Sequence, residues 1–346
     1  MEAKQATLMG KMNRSMDVIL AFIVVAIISV MILPISSGLL DILLIINITV
    51  SITVLMLTLF TKDILEFSSF PTLLLLLTLY RLGLNLASTK LILGQGEAGE
   101  VINAFAGFVA ADNFIVGAVV FVIIIVIQLL VITSGASRVS EVGARFTLDA
   151  MPGKQMAIDA DLNAGMIGEE EARRRRENMQ READFYGSMD GSSKFVKGDA
   201  MAGIVITIIN LVGGIAIFVG QRGFTFGEAI DRFGRLTIGD GLVSQIPAVL
   251  ISVASGILVT RAASDAGFGS QLSGQLFAKY KVIMVTAFVL FSFSLVPAFP
   301  FIPFFVISVI CGLLAFSSIP MKKANWHGKP LRKSRHRPRS KRRTPQ

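Results

Sequence analysis

The residues with chemistry to offer in this 346-residue chain are ionisable and amide groups set inside long apolar stretches. Arg81 and Asn85 stand four positions apart in Phe70-Pro-Thr-Leu-Leu-Leu-Leu-Leu-Thr-Leu-Tyr-Arg-Leu-Gly-Leu-Asn85. On a helix they share one face, and a full charge there needs a counter-ion or a hydrated path. Asp199, in Lys194-Phe-Val-Lys197-Gly-Asp199, stands at the start of an apolar run, and Asp240 opens another within Gly239-Asp240-Gly241. Burial and a nearby lysine act in opposite senses on a carboxyl's proton, so such a site can be balanced to take and release one. Helix N-capping competes for both aspartates, and on local sequence it is the stronger reading. Asn47, Gln128, Asn210 and Gln245 add amides at depth, for which hydrogen bonding between helices is favoured over a polar path. Ala248, Ser252, Gly256 and Thr260 recur every four residues, a small-residue stripe that lets another helix pack closely.

Enzymatic patterns are missing: the sequence has no GxxxxGK[ST] phosphate loop, HExxH, CxxC or GxSxG. Both histidines, His327 and His336, fall in the C-terminal tail, and the single Cys311 lies in an apolar run. These facts predict no catalytic residues, no metal, no cofactor and no intrachain disulfide. Asp159-Ala-Asp161-Leu-Asn163-Ala-Gly165 with Glu170 resembles a calcium loop, but its glycine is one place late. An Asx turn starting a helix is the preferred reading there.

The elements that must position these groups follow from composition. Hydrophobic residues make up 53% of the chain and charged residues 16%, with a mean hydropathy of +0.68, which excludes an ordinary soluble globule. A spanning helix needs about 20 apolar residues. Eight stretches qualify: Asp17 to Leu33, Leu39 to Phe60, Phe67 to Ala87, Phe114 to Thr133, Ala200 to Gly220, Leu242 to Thr260, Val282 to Phe299 and Phe301 to Ile319. The expected fold is an all-α integral membrane protein of about eight transmembrane helices. A Pro297 to Pro303 corner leaves a re-entrant hairpin open for the last two.

Of the 33 Lys and Arg residues, 28 fall on one side if the N-terminus is cytoplasmic, which predicts both termini inside. The expected organisation is a cytoplasmic N-terminus (1–16), four membrane helices (17–133), a charged and mostly helical cytoplasmic insert (134–199), four more helices (200–320) and a basic disordered tail (321–346). Glu169, Glu170 and Glu171 precede Arg173, Arg174 and Arg175 in the order that favours helical ion pairs. A solvated helix explains most of that run, with a partner-docking surface as the alternative. The tail carries 11 Lys or Arg and no acid, a composition that cannot bury a core and that attracts anionic lipid.

Arg138-Val-Ser-Glu-Val-Gly-Ala-Arg-Phe-Thr-Leu-Asp-Ala-Met-Pro-Gly-Lys-Gln-Met-Ala-Ile-Asp-Ala-Asp161 resembles the signature of the FlhA/InvA/LcrD (FHIPEP) family of flagellar and virulence type III export gates. The likeness continues through Ala183 to Asp199 and Gly239 to Pro247, covers roughly residues 15 to 320, and is nearer to the flagellar branch. It implies an inner-membrane, non-enzymatic export-gate subunit that helps couple proton motive force to export of unfolded flagellar subunits. Implied partners are a homo-oligomeric ring, a nonamer in the family, other gate membrane proteins and the flagellar basal body. The resemblance marks Arg138, Glu141, Arg145, Asp149, Lys154, Asp159 and Asp161 in the cytoplasmic signature. It also makes Asp199, with Lys194 and Lys197, and Asp240 leading sites for proton or ion coupling, beside Arg81. Relatives continue into a large cytoplasmic domain where this chain has its basic tail. That departure leads us to expect a truncated or frameshifted product in which docking of substrates and chaperones is lost. A stand-alone ion channel or transporter, and a non-exporting structural remnant, are the alternatives.

Overall fold

The computed structural model describes residues 18–110, 114–261, 268–277, 279–296 and 300–317. The charged N-terminal segment, the Pro297 part of the corner and the basic tail lie outside them. All the regular structure among the described residues is helical: α1 (Val18–Ile32), α2 (Ser37–Phe60), α3 (Phe70–Gln95), α4 (Glu100–Ala110), α5 (Phe114–Val126), α6 (Ser134–Asn163), α7 (Glu169–Arg222), α8 (Phe226–Thr260), α9 (Phe268–Phe277), α10 (Tyr280–Ser294) and α11 (Phe301–Ser317). A 3-10 turn, Ile64–Phe67, leads into α3, and a π turn, Ile127–Thr133, joins α5 to α6 without a break. Five of the resulting rods are long and apolar enough to cross a bilayer, and α1, α10 and α11 are shorter apolar helices.

Two units divide at Gly269. In the first, α8 runs through the centre and packs on α2, α4, α6 and α7, while α3 packs on α7. An apolar cluster at one end joins Leu40, Leu84, Ile92, Ile102, Phe218, Phe233 and Val243, and a second at the other joins Phe67, Phe70, Leu74, Phe185, Met189, Ile251 and Leu258. In the second unit α10 and α11 pair as a hairpin, in which Ser308 Oγ donates to the Ala287 carbonyl at 2.8 Å.

Three local expectations fail. The first two concern aspartates at the junction of charged and apolar sequence, where α7 is one helix of 54 residues that runs from the second half of the charged insert straight into the apolar stretch. Asp199 therefore lies deep within α7 and caps nothing. Asp240 is likewise interior to α8, which begins at Phe226 with a Thr225–Glu228 capping box rather than at Leu242. The Asp159–Gly165 segment ends a helix instead of starting one. Gly165 takes a left-handed φ of 71°, the Met166 N–H reaches the Asp161 carbonyl and the Gly165 N–H the Leu162 carbonyl, which is a Schellman cap. The short α4 had no signal, being too brief for a span.

Candidate functional site

Asp199 and Arg81, chosen separately from the sequence, meet in the structure. Arg81 is the twelfth residue of α3, so it stands about 16 Å along the helix from Phe70, near the middle of a rod about 39 Å long. Arg81 Nη1 lies 2.8 Å from Asp199 Oδ2, with the two side chains 5% and 0% exposed. Arg81 Nη2 also donates to the Ser244 carbonyl of α8 at 3.2 Å. The guanidinium thus ties α3 to α7 by charge and to α8 by a hydrogen bond. Asp199 Oδ1 and Arg81 Nε have no hydrogen-bond partner among the described residues, and both are buried. Both residues border a cavity of about 30 Å³ lined also by Asn85, Gln128, Gly203, Thr207, Gly241 and Gln245.

Lys194 and Lys197, expected to balance Asp199, do not. Lys194 Nζ pairs with Asp190 at 2.8 Å on an exposed face, and Lys197 is exposed. The counter-ion is Arg81, because a helix turn directs residues two and five positions away onto other faces.

Asp240 sits in a second polar nest. Asn210 Nδ2 donates to its Oδ2 at 3.0 Å, and the Ser88 hydroxyl faces the same carboxylate. The glycines on either side have a steric reason. A Cβ at Gly239 would overlap the Ile102 carbonyl of α4, and one at Gly241 would overlap the Phe121 ring of α5. The Gly-Asp-Gly run is therefore where two helices press on α8 around one carboxylate. Ser88 was missed by sequence reasoning, although it lies on the Arg81 and Asn85 face, seven and three residues on.

Signature residues gather at the α6–α7 hairpin. Lys154 pairs with Glu182 at 2.8 Å, Arg175 with Asp161 at 3.3 Å, and Arg176 with Asp159. Arg138 pairs with Glu141 at 3.2 Å along α6, while Arg145 and Asp149 are exposed. On α8, Ala248 and Ser252 are buried, Gly256 faces Ala136 of α6, and Thr260 is exposed with its hydroxyl donating to the Gly256 carbonyl. Among the described residues no group of three or more metal-binding side chains occurs.

At the far end of this unit, Asp41 of α2 accepts from the Glu100 and Val101 N–H groups of α4, at 2.9 and 3.0 Å. It borders an open cleft of about 780 Å³ that Glu97, Asp231 and Arg235 also line. Three basic residues close helix C-termini here. Lys90 donates to the Met31 and Ile32 carbonyls, Arg222 to Gly94 and Arg232 to Gly96.

Residues 27–345 match the FHIPEP family. The chain belongs to the FHIPEP family. It is 53% identical over 312 residues to the flagellar biosynthesis protein FlhA of Bacillus subtilis, a match covering 90% of this chain and 45% of that protein. The Escherichia coli K12 protein of the same name is 52% identical over 300 residues, covering 85% and 43%. That of Salmonella typhimurium is 53% identical over 283 residues, covering 80% and 41%. This FHIPEP chain spans less than half the length of the curated relatives it matches. No solved structure matches it.

Proposed function

We propose that this FHIPEP chain is the membrane part of a flagellar type III export-gate subunit that helps couple proton motive force to export of unfolded flagellar subunits. The supporting observation is the Arg81–Asp199 pair, a buried charge pair at mid-depth with a carboxylate oxygen left for a proton. An ionised pair in hydrocarbon is costly and calls for a function. Protonation of Asp199 removes its charge, leaves Arg81 held to α8 by the Ser244 carbonyl alone, and so loosens α7 from α3. Because α7 runs unbroken from that point to Glu169, the change reaches the α6–α7 hairpin in the cytoplasm.

In this reading the eight apolar helices all cross the inner membrane, both termini are cytoplasmic, and copies assemble as a ring with other gate proteins and the basal body. The similarity to flagellar biosynthesis proteins supports the flagellar assignment. The test is complementation of a flagellated strain lacking its own homologue, with this membrane part joined to the remaining length of that homologue, as wild-type and Asp199→Asn chains. Restored secretion of flagellar subunits by the wild type, and its loss in the variant at equal membrane level, is expected. Equal secretion by the variant removes Asp199 from coupling.

A further inference from the structure

We propose that the cavity between α3, α7, α8 and the π turn is an internal water site, and that a proton reaches Asp199 through the water it holds. The proposal rests on the coupling role given to Asp199 above. The space, about 30 Å³, suffices for one or two waters. A buried water also needs two to four polar partners. Here they are Asp199 Oδ1, Arg81 Nε and Gln245 Oε1, each without a hydrogen-bond partner among the described residues, together with the buried Gln128 amide. Arg81 and Asp199 are the ionisable groups that line the space; what α8 and the π turn add is uncharged.

The cavity also touches the second acid's surroundings. Gly241 adjoins Asp240 in the chain, and Asn85 accepts at its carbonyl from Ser88, whose hydroxyl faces the Asp240 carboxylate. A proton that reaches this water as hydronium passes to Asp199 Oδ1, which becomes the neutral acid, and the water is left unchanged; the positive charge the proton brings cancels the carboxylate's. The π turn fits this role, since such turns recur at functional sites and this one presents Gln128 to the cavity.

Gly203 provides the test. It lines the cavity, and a Cβ there meets no atom within 4 Å, so Gly203→Val and Gly203→Thr enter through the same open Cβ position with nearly equal bulk and differ by a methyl against a hydroxyl. The first measurement is X-ray radiolytic footprinting of the whole chain in lipid nanodiscs, which labels side chains beside bound water. Ile125 and Leu129 should be labelled about fivefold or more above the outward-facing Leu130 and Val131. Equal labelling overturns the water site and leaves the coupling role of Asp199 standing. The second measurement is secretion in the complemented strain. Val should remove the label and cut secretion about tenfold or more, while Thr, whose hydroxyl can join the chain of hydrogen bonds, should keep most of it. Equal impairment by Val and Thr, or loss of label with full secretion, overturns the water route.

Discussion

A single guanidinium organises the middle of this protein, and its removal should be felt more than that of its partner's charge. Arg81→Ala leaves Asp199 ionised, buried and unpaired, a change that costs about 3–5 kcal/mol in comparable pairs. Arg81→Ala combined with Asp199→Ala should recover much of that loss, because no lone charge remains. Thermal unfolding in detergent, with the two singles and the double as a cycle, checks it; additive effects would mean that the pair does not interact. Arg81→Lys should fail to restore the wild type, since an ammonium lacks the fork that reaches Asp199 and the Ser244 carbonyl together. The glycines around Asp240 make a second prediction at this scale. Gly239→Ala forces a methyl into the Ile102 carbonyl and should destabilise by about 1–3 kcal/mol or more. Gly220→Ala, into open space, should be neutral or slightly stabilising in the same assay.

Among elements, the α6–α7 hairpin is the one held by its own turn and by exposed charges. Gly165→Ala puts a side chain at φ 71° and should loosen the turn by about 1 kcal/mol. Hydrogen exchange should rise across residues 158–172 and stay unchanged in α3. The acid limb has a definite sign. Hydrogen bonds from Arg175 and then Arg174 hold the exposed Glu171 carboxyl below its ordinary value. Its small stabilising contribution is present above that value and is lost as pH falls through the lowered one. Exchange in the hairpin should therefore increase in acid.

Element type was legible because the apolar stretches are long, and the helical order of the glutamates and arginines was plain. Continuity was not. Nothing in the residues near Asp199 distinguishes a helix that begins there from one that passes through, since aspartate caps helices and also serves in their interiors when paired. The pairing of Arg81 with Asp199 needs 118 positions of chain to fold back, so sequence spacing could mark each residue as unusual without joining them. A separation of 30 positions hid the Asn210 to Asp240 bond in the same way.

For the whole molecule, the apolar surface predicts retention in membranes under alkaline carbonate wash, with release by detergent alone. Recovery from the aqueous supernatant would contradict the fold's placement in lipid. Orientation is testable by single cysteines in a Cys311→Ser background. Glu97→Cys should react with an impermeant maleimide from outside intact cells, and Met166→Cys only after permeabilisation. The opposite pattern would invert the proposed topology.

The clasp of Asp41 on the first turn of α4 has a consequence for how that helix stays seated on α8. Ile102 and Ala106 of α4 lie against Gly239, the residue before Asp240. An Asp41→Ala chain would leave the Glu100 and Val101 N–H groups without their acceptor, so the brace beside that glycine begins at a carboxylate on another helix.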